Sequence, residues 1–277
     1  MVSVALALGA SLAWGASDFL AGVKTRSLAV LWVLLVSQVT GLVLVGVAAV
    51  ASGAPLPGGQ AALLATGAGI AELVGFAALY RALAIGRMSV VAPISAMAAL
   101  LPVMVGLAAG DAPNGPQALG MTLALAGACL ASFEYGGDHR RAATGVGLAL
   151  VAALGFGAFF VGTDLAADDG ALWAVAINRA AAVTVLVGIV LAVRRPSPIT
   201  RDQVAPLVAV GALDIAANVM FAVALTVGMA AAVSVLGSLY PVATVVLARA
   251  VLHEELSGSQ RGGVAAALAG VGLVSLA

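Results

Sequence analysis

The segment DAPNGPQALGMTLALAG at residues 111–127 returns as EELSGSQRGGVAAALAG at residues 254–270. Asp111, Gly115, Gln117, Gly120 and Ala126-Gly127 are answered by Glu254, Gly258, Gln260, Gly263 and Ala269-Gly270, each 143 residues on. Working outward, Glu72, Ala82-Leu83 and Gly86 meet Asp214, Ala224-Leu225 and Gly228 at a spacing of 142. Leu31-Trp32 meets Leu172-Trp173 at 141, and Gly15, Phe19 and Gly22 meet Gly155, Phe159 and Gly162 at 140. The spacing drifts one residue at a time, as small loop insertions make it drift. The chain is one unit written twice. Internal duplication within an apolar chain is the sequence mark of many secondary transporters.

Composition points the same way. Of 277 residues, 63% are hydrophobic and 9% charged, with a mean hydropathy of +1.16. A soluble domain carries about 25% charged residues, so most of this surface faces something other than water. A helix needs about 20 apolar residues to cross a hydrocarbon core about 30 Å thick. Ten stretches meet that need: 2–22, 28–50, 61–82, 88–108, 116–135, 143–163, 171–193, 204–226, 230–251 and 258–277. The runs are long, rich in Ala and Leu, and do not alternate, which speaks against a β-barrel. The expected architecture is therefore an all-α integral membrane protein of ten transmembrane helices. They form two five-helix repeats, 1–135 and 143–277, joined by a hinge at 136–142. Residues 1–20 lack a basic leader and have a counterpart in the second repeat, so they read as a permanent helix. Cys129 stands alone, and His139 and His253 lie far apart in loops, so neither a metal nor another cofactor is expected.

Charge is zero overall but unevenly placed. Lys24, Arg26, Arg81, Arg87, Arg140, Arg141, Arg194, Arg195, Arg201, Arg249 and Arg261 fall in or beside the odd-numbered loops, which is 11 of the 12 basic residues. The even-numbered loops hold Asp111, Asp164, Asp168 and Asp169 and no Lys or Arg. The positive-inside rule then puts the odd loops in the cytoplasm and both termini outside, in a plasma (inner) membrane protein. Loop 1 is basic where its counterpart loop 6 is acidic, and loop 2 is neutral where loop 7 is basic. Five helices is an odd number, so the second copy enters the membrane inverted, as these biases require.

Three charges stand near mid-helix: Glu72, Arg179 and Asp214. Each costs about 2.5–3.5 kcal/mol at a helix centre on insertion scales, so such residues are functional candidates. Glu72 and Asp214 occupy one repeat position and suit proton coupling or cation binding. Arg179 has Gln38 as its repeat partner. Counted inward at about 1.5 Å per residue, Gln38 and Glu72, and likewise Arg179 and Asp214, are close enough in depth to meet across adjacent helices. The expectation is a Gln38–Glu72 hydrogen bond and an Arg179–Asp214 ion pair, with no cation for Glu72. That ion pair serves equally as a neutralised strut between helices. Asn218, one turn beyond Asp214, is either an interhelical hydrogen bond or part of a cavity wall. Asp18 sits near a helix end, where solvation is the ordinary fate. Trp14 and Tyr240 are candidates for stacking on a solute or for plain packing; Tyr240 precedes Pro241, which frees a backbone carbonyl. Pro93 and Pro102 imply a kink in the fourth stretch, and Gly258 and Gly262 make a small-xxx-small pair.

These residues also carry a likeness. Trp14-Gly15 with Ser17-Asp18-Phe19, Leu79-Tyr80-Arg81-Ala82-Leu83 running to Gly86, and Val91-Ala92-Pro93-Ile94 resemble the EamA-domain proteins of the drug/metabolite transporter superfamily. So do Ser238-Leu239-Tyr240-Pro241, then Glu254, Ser257, Gln260, Gly263 and Ala269-Gly270-Val271. The resemblance runs over essentially the whole length. It implies ten helices in two inverted repeats, with a central cavity lined mainly by helices 1, 3, 4, 6, 8 and 9 and with helices 2 and 7 peripheral. It also implies cytoplasmic termini and a basic loop after helix 2. Here that loop, residues 52–60, has no basic residue, and the charges are followed instead.

The function expected is secondary transport of a small metabolite, an amino acid or a drug-like compound, by proton-coupled export with alternating access. The alternatives are an uncoupled facilitator or uptake permease and, less favoured, an integral-membrane enzyme. No His/Cys cluster, P-loop or GxSxG motif supports an enzyme. The partners implied are a solute, protons and the lipid bilayer, with no nucleic acid. A monomer holding two repeats is sufficient.

Overall fold

The computed structural model describes residues 1–25, 28–85, 94–110, 113–131, 145–193, 200–252 and 258–276. Regular structure among the described residues is helical: α1 (Val2–Thr25), α2 (Val30–Ala51), α3 (Gly59–Ile85), α4 (Leu100–Ala109), α5 (Gly115–Ala131), α6 (Val146–Ala167), α7 (Ala171–Val193), α8 (Arg201–Thr226), α9 (Ala230–Gly237), α10 (Tyr240–Leu252) and α11 (Gly258–Leu276). Six of these, α1, α2, α3, α6, α7 and α8, are long and apolar enough to cross a membrane. Shorter apolar helices cover Ile94–Ala109, Gly115–Leu130, Ala230–Thr244 and Arg261–Val274.

Local chemistry sets the helix ends. Asn114 and Gln117 open α5 with reciprocal bonds, Gln117 N–H to Asn114 Oδ1 at 2.9 Å and Asn114 N–H to Gln117 Oε1 at 3.0 Å. Thr200 and Gln203 open α8 with the same device. The Gln117 of the repeated motif is thus a helix-start residue. Gly110, at φ 100°, closes α4 in the left-handed region, where a side chain is strained. Inside the helices, Thr40, Thr66, Thr122 and Thr184 each donate to the carbonyl four residues back, at 2.7–2.8 Å. Their hydroxyls are satisfied without help from a neighbour.

The ninth stretch is not one helix over 230–251. It divides at Ser238-Leu239 into α9 and α10. Pro241 has no N–H for the Gly237 carbonyl, and the chain turns tighter through Leu239 N–H to Leu236 O and Val242 N–H to Leu239 O. Pro102 has the same effect on Ala98, and Met97–Ala99 is a 3-10 turn leading into α4. Pro93 lies outside the described residues.

Packing is close because the contacts are small. α1 packs on α8 and α10, while α6 packs on α3 and α4; α2 and α7 meet each other, with α7 also on α3 and α2 also on α8. α5 packs on α11 and α4 on α9. At Gly69 a Cβ would strike the Asn178 backbone, and at Gly211 it would strike that of Ser37. Gly127 lies against Gly263 and Ala267, and Gly270 lies against Gly120 and Ala124. Gly15 abuts Tyr240 and Ala243, as Gly157 abuts Ala98 and Leu101. By contrast, among the described residues nothing lies within 4 Å of a Cβ at Gly258 or Gly262, so none of them packs on that pair. Leu63 and Leu191, each 72% exposed, belong to an outer apolar surface suited to lipid.

The connections sort to two ends. Trp173 Nε1 donates to Ala54 O at 3.0 Å and Gly58 N–H to Asp169 Oδ2 at 3.4 Å, tying loop 2 to loop 6. Gly228 in loop 8 sits against Ser3 at the start of α1. At the other end, Lys24 in the last turn of α1 interacts electrostatically with Asp202 at the start of α8.

Candidate functional site

Mid-helix positions of α2, α3, α7 and α8 converge on one buried guanidinium. Arg179 is fully buried. Its Nη2 lies 2.8 Å from Asp214 Oδ2 and 3.2 Å from Glu72 Oε1, and its Nη1 donates to Gln38 Oε1. Glu72 Oε1 also accepts from Asn218 Nδ2 at 3.0 Å, and Asn218 Oδ1 accepts from Trp14 Nε1 at 2.8 Å. A single chain of contacts thus joins α1, α2, α3, α7 and α8.

The expected Arg179–Asp214 pair is present. The expected Gln38–Glu72 hydrogen bond is not: Arg179 stands between them and takes both. A guanidinium carries five donors, so it serves two carboxylates and an amide oxygen at once. Glu72 therefore has a cation after all. One Glu72 oxygen, Oε2, and Arg179 Nε are buried and have no hydrogen-bond partner among the described residues.

Beside this network lies a small cavity of about 30 Å³. Its walls are Asp18 and Glu72 together with the rings of Trp14, Phe76, Phe156, Phe159, Phe160 and Tyr240. Asp18 is therefore a cavity residue and not a solvated helix end; α1 runs on to Thr25, a further two turns, which draws it inward. Asp18 interacts electrostatically with Tyr240 and with Asp214. The Trp14 ring also packs against Phe221 at 5.3 Å and Phe160 at 6.0 Å, and Phe76 meets Phe156 edge-on at 5.1 Å.

The lining comes from α1, α3, α6 and α10. α2 and α7 stay off the cavity, yet they are not peripheral to its chemistry, because they bring Gln38 and Arg179 to its carboxylates. Sequence reasoning missed the rings of Phe76, Phe156, Phe159 and Phe160. The available signal was modest: Phe156 follows Trp14 at the same 142-residue spacing that joins Glu72 to Asp214.

One buried guanidinium thus joins two buried carboxylates from the two halves of an apolar chain, with the half-buried Asp18 at the cavity beside them. The model of the EamA-like transporter family matches residues 143–276. Over these residues the chain is similar to that family. The family lies within the drug/metabolite transporter superfamily and consists of transporters. With six helices long and apolar enough to cross a bilayer, the chain is a multi-pass membrane protein. No curated protein matches the sequence. One solved crystal structure superimposes with a TM-score of 0.79 at 17% identity, over 99% of this chain and 96% of its own. That likeness is one of fold.

Proposed function

We propose that this chain is a secondary transporter that moves a small metabolite across the plasma membrane, by alternating access and with proton-coupled export. Its ten spans form two inverted five-helix repeats, 1–135 and 143–277, with both termini extracytoplasmic. The observation that carries the function is the Arg179 network at the wall of the aromatic cavity. One guanidinium balances one carboxylate, so two of Asp18, Glu72 and Asp214 require protons or a cationic solute. A site with that requirement can exchange one for the other.

Support for the inverted repeats is the reciprocity of the packing. Gly127 on Gly263 and Ala267 mirrors Gly270 on Gly120 and Ala124. Gly69 on Asn178 mirrors Gly211 on Ser37. Each relation becomes the other when the halves exchange, as a twofold axis in the membrane plane demands. In the first helix the contacts pair Gly15 with Gly157, two residues later than the sequence likeness to Gly155. The tighter turns before α4 and α10 fall in matching spans and are natural places for the cavity to open. Uncoupled passage is the second reading; it is favoured by Arg179, which already holds Glu72 and Asp214 in ion pairs.

The test is solute counterflow in proteoliposomes of the purified chain, across amino acids, amines and uncharged metabolites. Exchange of internal for external labelled solute supports transport. Absence of exchange for every class contradicts it.

A further inference from the structure

We infer that the cavity receives the ammonium group of an organic amine or other organic cation, and that it discriminates against zwitterions such as free amino acids. This rests on the transporter reading above and names its solute class.

Three features of the wall point there. Aromatic faces carry negative potential and attract an ammonium group within about 6 Å of the ring centroid. Here Trp14, Tyr240 and Phe156, among six lining rings, surround one small volume. The Trp14 N–H is engaged by Asn218 and its ring lies at the wall, so it meets an occupant with its π system.

The second feature is Glu72. It is 2% exposed and lines the cavity, and its Oε1 takes both the Arg179 and the Asn218 bonds. Its Oε2 is left without a hydrogen-bond partner among the described residues. A buried carboxylate oxygen lacking a donor is costly, and an ammonium N–H supplies one. Asp18 adds a second carboxylate, and among the described residues no ion pair reaches it.

The third feature excludes the zwitterion. Arg179 is the one buried basic side chain among the described residues. It is already committed to Gln38, Glu72 and Asp214. A substrate carboxylate would meet no available cation and would face Asp18 and Glu72, whose charge repels it. The cavity, at about 30 Å³, holds an ammonium head or one or two waters. The body of a larger cation enters only when the helices part.

The experiment is ligand-induced thermal stabilisation of the purified full-length chain in detergent, using matched probes. These are phenethylamine, phenylalanine and phenylethanol, then isoamylamine, leucine and isoamyl alcohol, then choline and betaine. Members of each set differ in charge and little in shape. The expected result is half-maximal stabilisation by the amines or choline at concentrations about tenfold or more below those of their zwitterionic and neutral partners. Asp18→Asn, which leaves the Arg179 network whole, is expected to raise the amine concentration needed about tenfold while the unliganded melting temperature holds. Equal or tighter binding of the zwitterions overturns the inference, and so does binding that Asp18→Asn leaves unchanged, or no response to any cation. Counterflow of an amino acid or a neutral solute in the same preparation would then show transport standing without this solute class.

Discussion

Arg179 holds Asp214 at 2.8 Å from one guanidinium nitrogen, Nη2, and the same nitrogen reaches Glu72 at 3.2 Å. Two carboxylates from equivalent places in the two halves of the chain thus share one cation. Any event that weakens one contact changes the field on the other, which is how a proton or a cationic solute at Glu72 would be felt at Asp214.

Removal of the shared cation leaves two buried carboxylates uncompensated. Arg179→Gln is expected to destabilise the protein by about 3–5 kcal/mol. Arg179→Gln combined with Asp214→Asn is expected to be less damaged than the single arginine variant, because one orphaned charge goes with it. Thermal unfolding of the variants in detergent checks both, and a double variant worse than Arg179→Gln would argue against the pair.

Asn218 bridges Trp14 to Glu72, so Asn218→Ala strands a donor on one side and loosens a carboxylate on the other. The expected cost is about 1–3 kcal/mol. A change in tryptophan fluorescence should accompany it, since Trp14 lies at the cavity wall. An unaltered spectrum and melting temperature would place the bridge outside the working structure.

Close helix contacts give a contrast. Gly69→Ala and Gly211→Ala drive a methyl group into backbone and are expected to cost about 1–3 kcal/mol each. Gly258→Ala and Gly262→Ala meet no neighbour among the described residues and should stay within about 0.5 kcal/mol of the parent. Similar losses at all four would mean that the packing is misassigned.

Sidedness follows from loops that touch. Loop 2 and loop 6 share an end through Trp173 and Ala54, and Lys24 meets Asp202 at the other. In a Cys129→Ala background, Ala54→Cys is expected to react with an impermeant maleimide on intact cells and Asp202→Cys only after lysis. The opposite pattern would put both termini in the cytoplasm.

Much of this was legible in the residues, and the remainder was not for a physical reason. Glu72, Arg179 and Asp214 stand out because an apolar helix gives a charge nothing to hide among. Counting depth along the helices paired Arg179 with Asp214. Depth does not reveal direction around a helix, however, so Gln38 was given to Glu72 when both face Arg179. The same blindness concealed Asp18 and the phenylalanines: with apolar residues on every face, periodicity carries no facing information. The turn at Ser238-Leu239 was half visible in Pro241. That Gly258 and Gly262 meet no neighbour among the described residues was not visible, because spacing alone does not say whether a neighbour is there.

The most direct test of the central claim is solute-evoked proton movement in proteoliposomes, comparing the parent chain with Glu72→Gln. Proton flux on addition of a transported solute is expected in the parent and is expected to be lost in the variant. Equal solute-driven proton flux in both would contradict it and remove Glu72 from the coupling step.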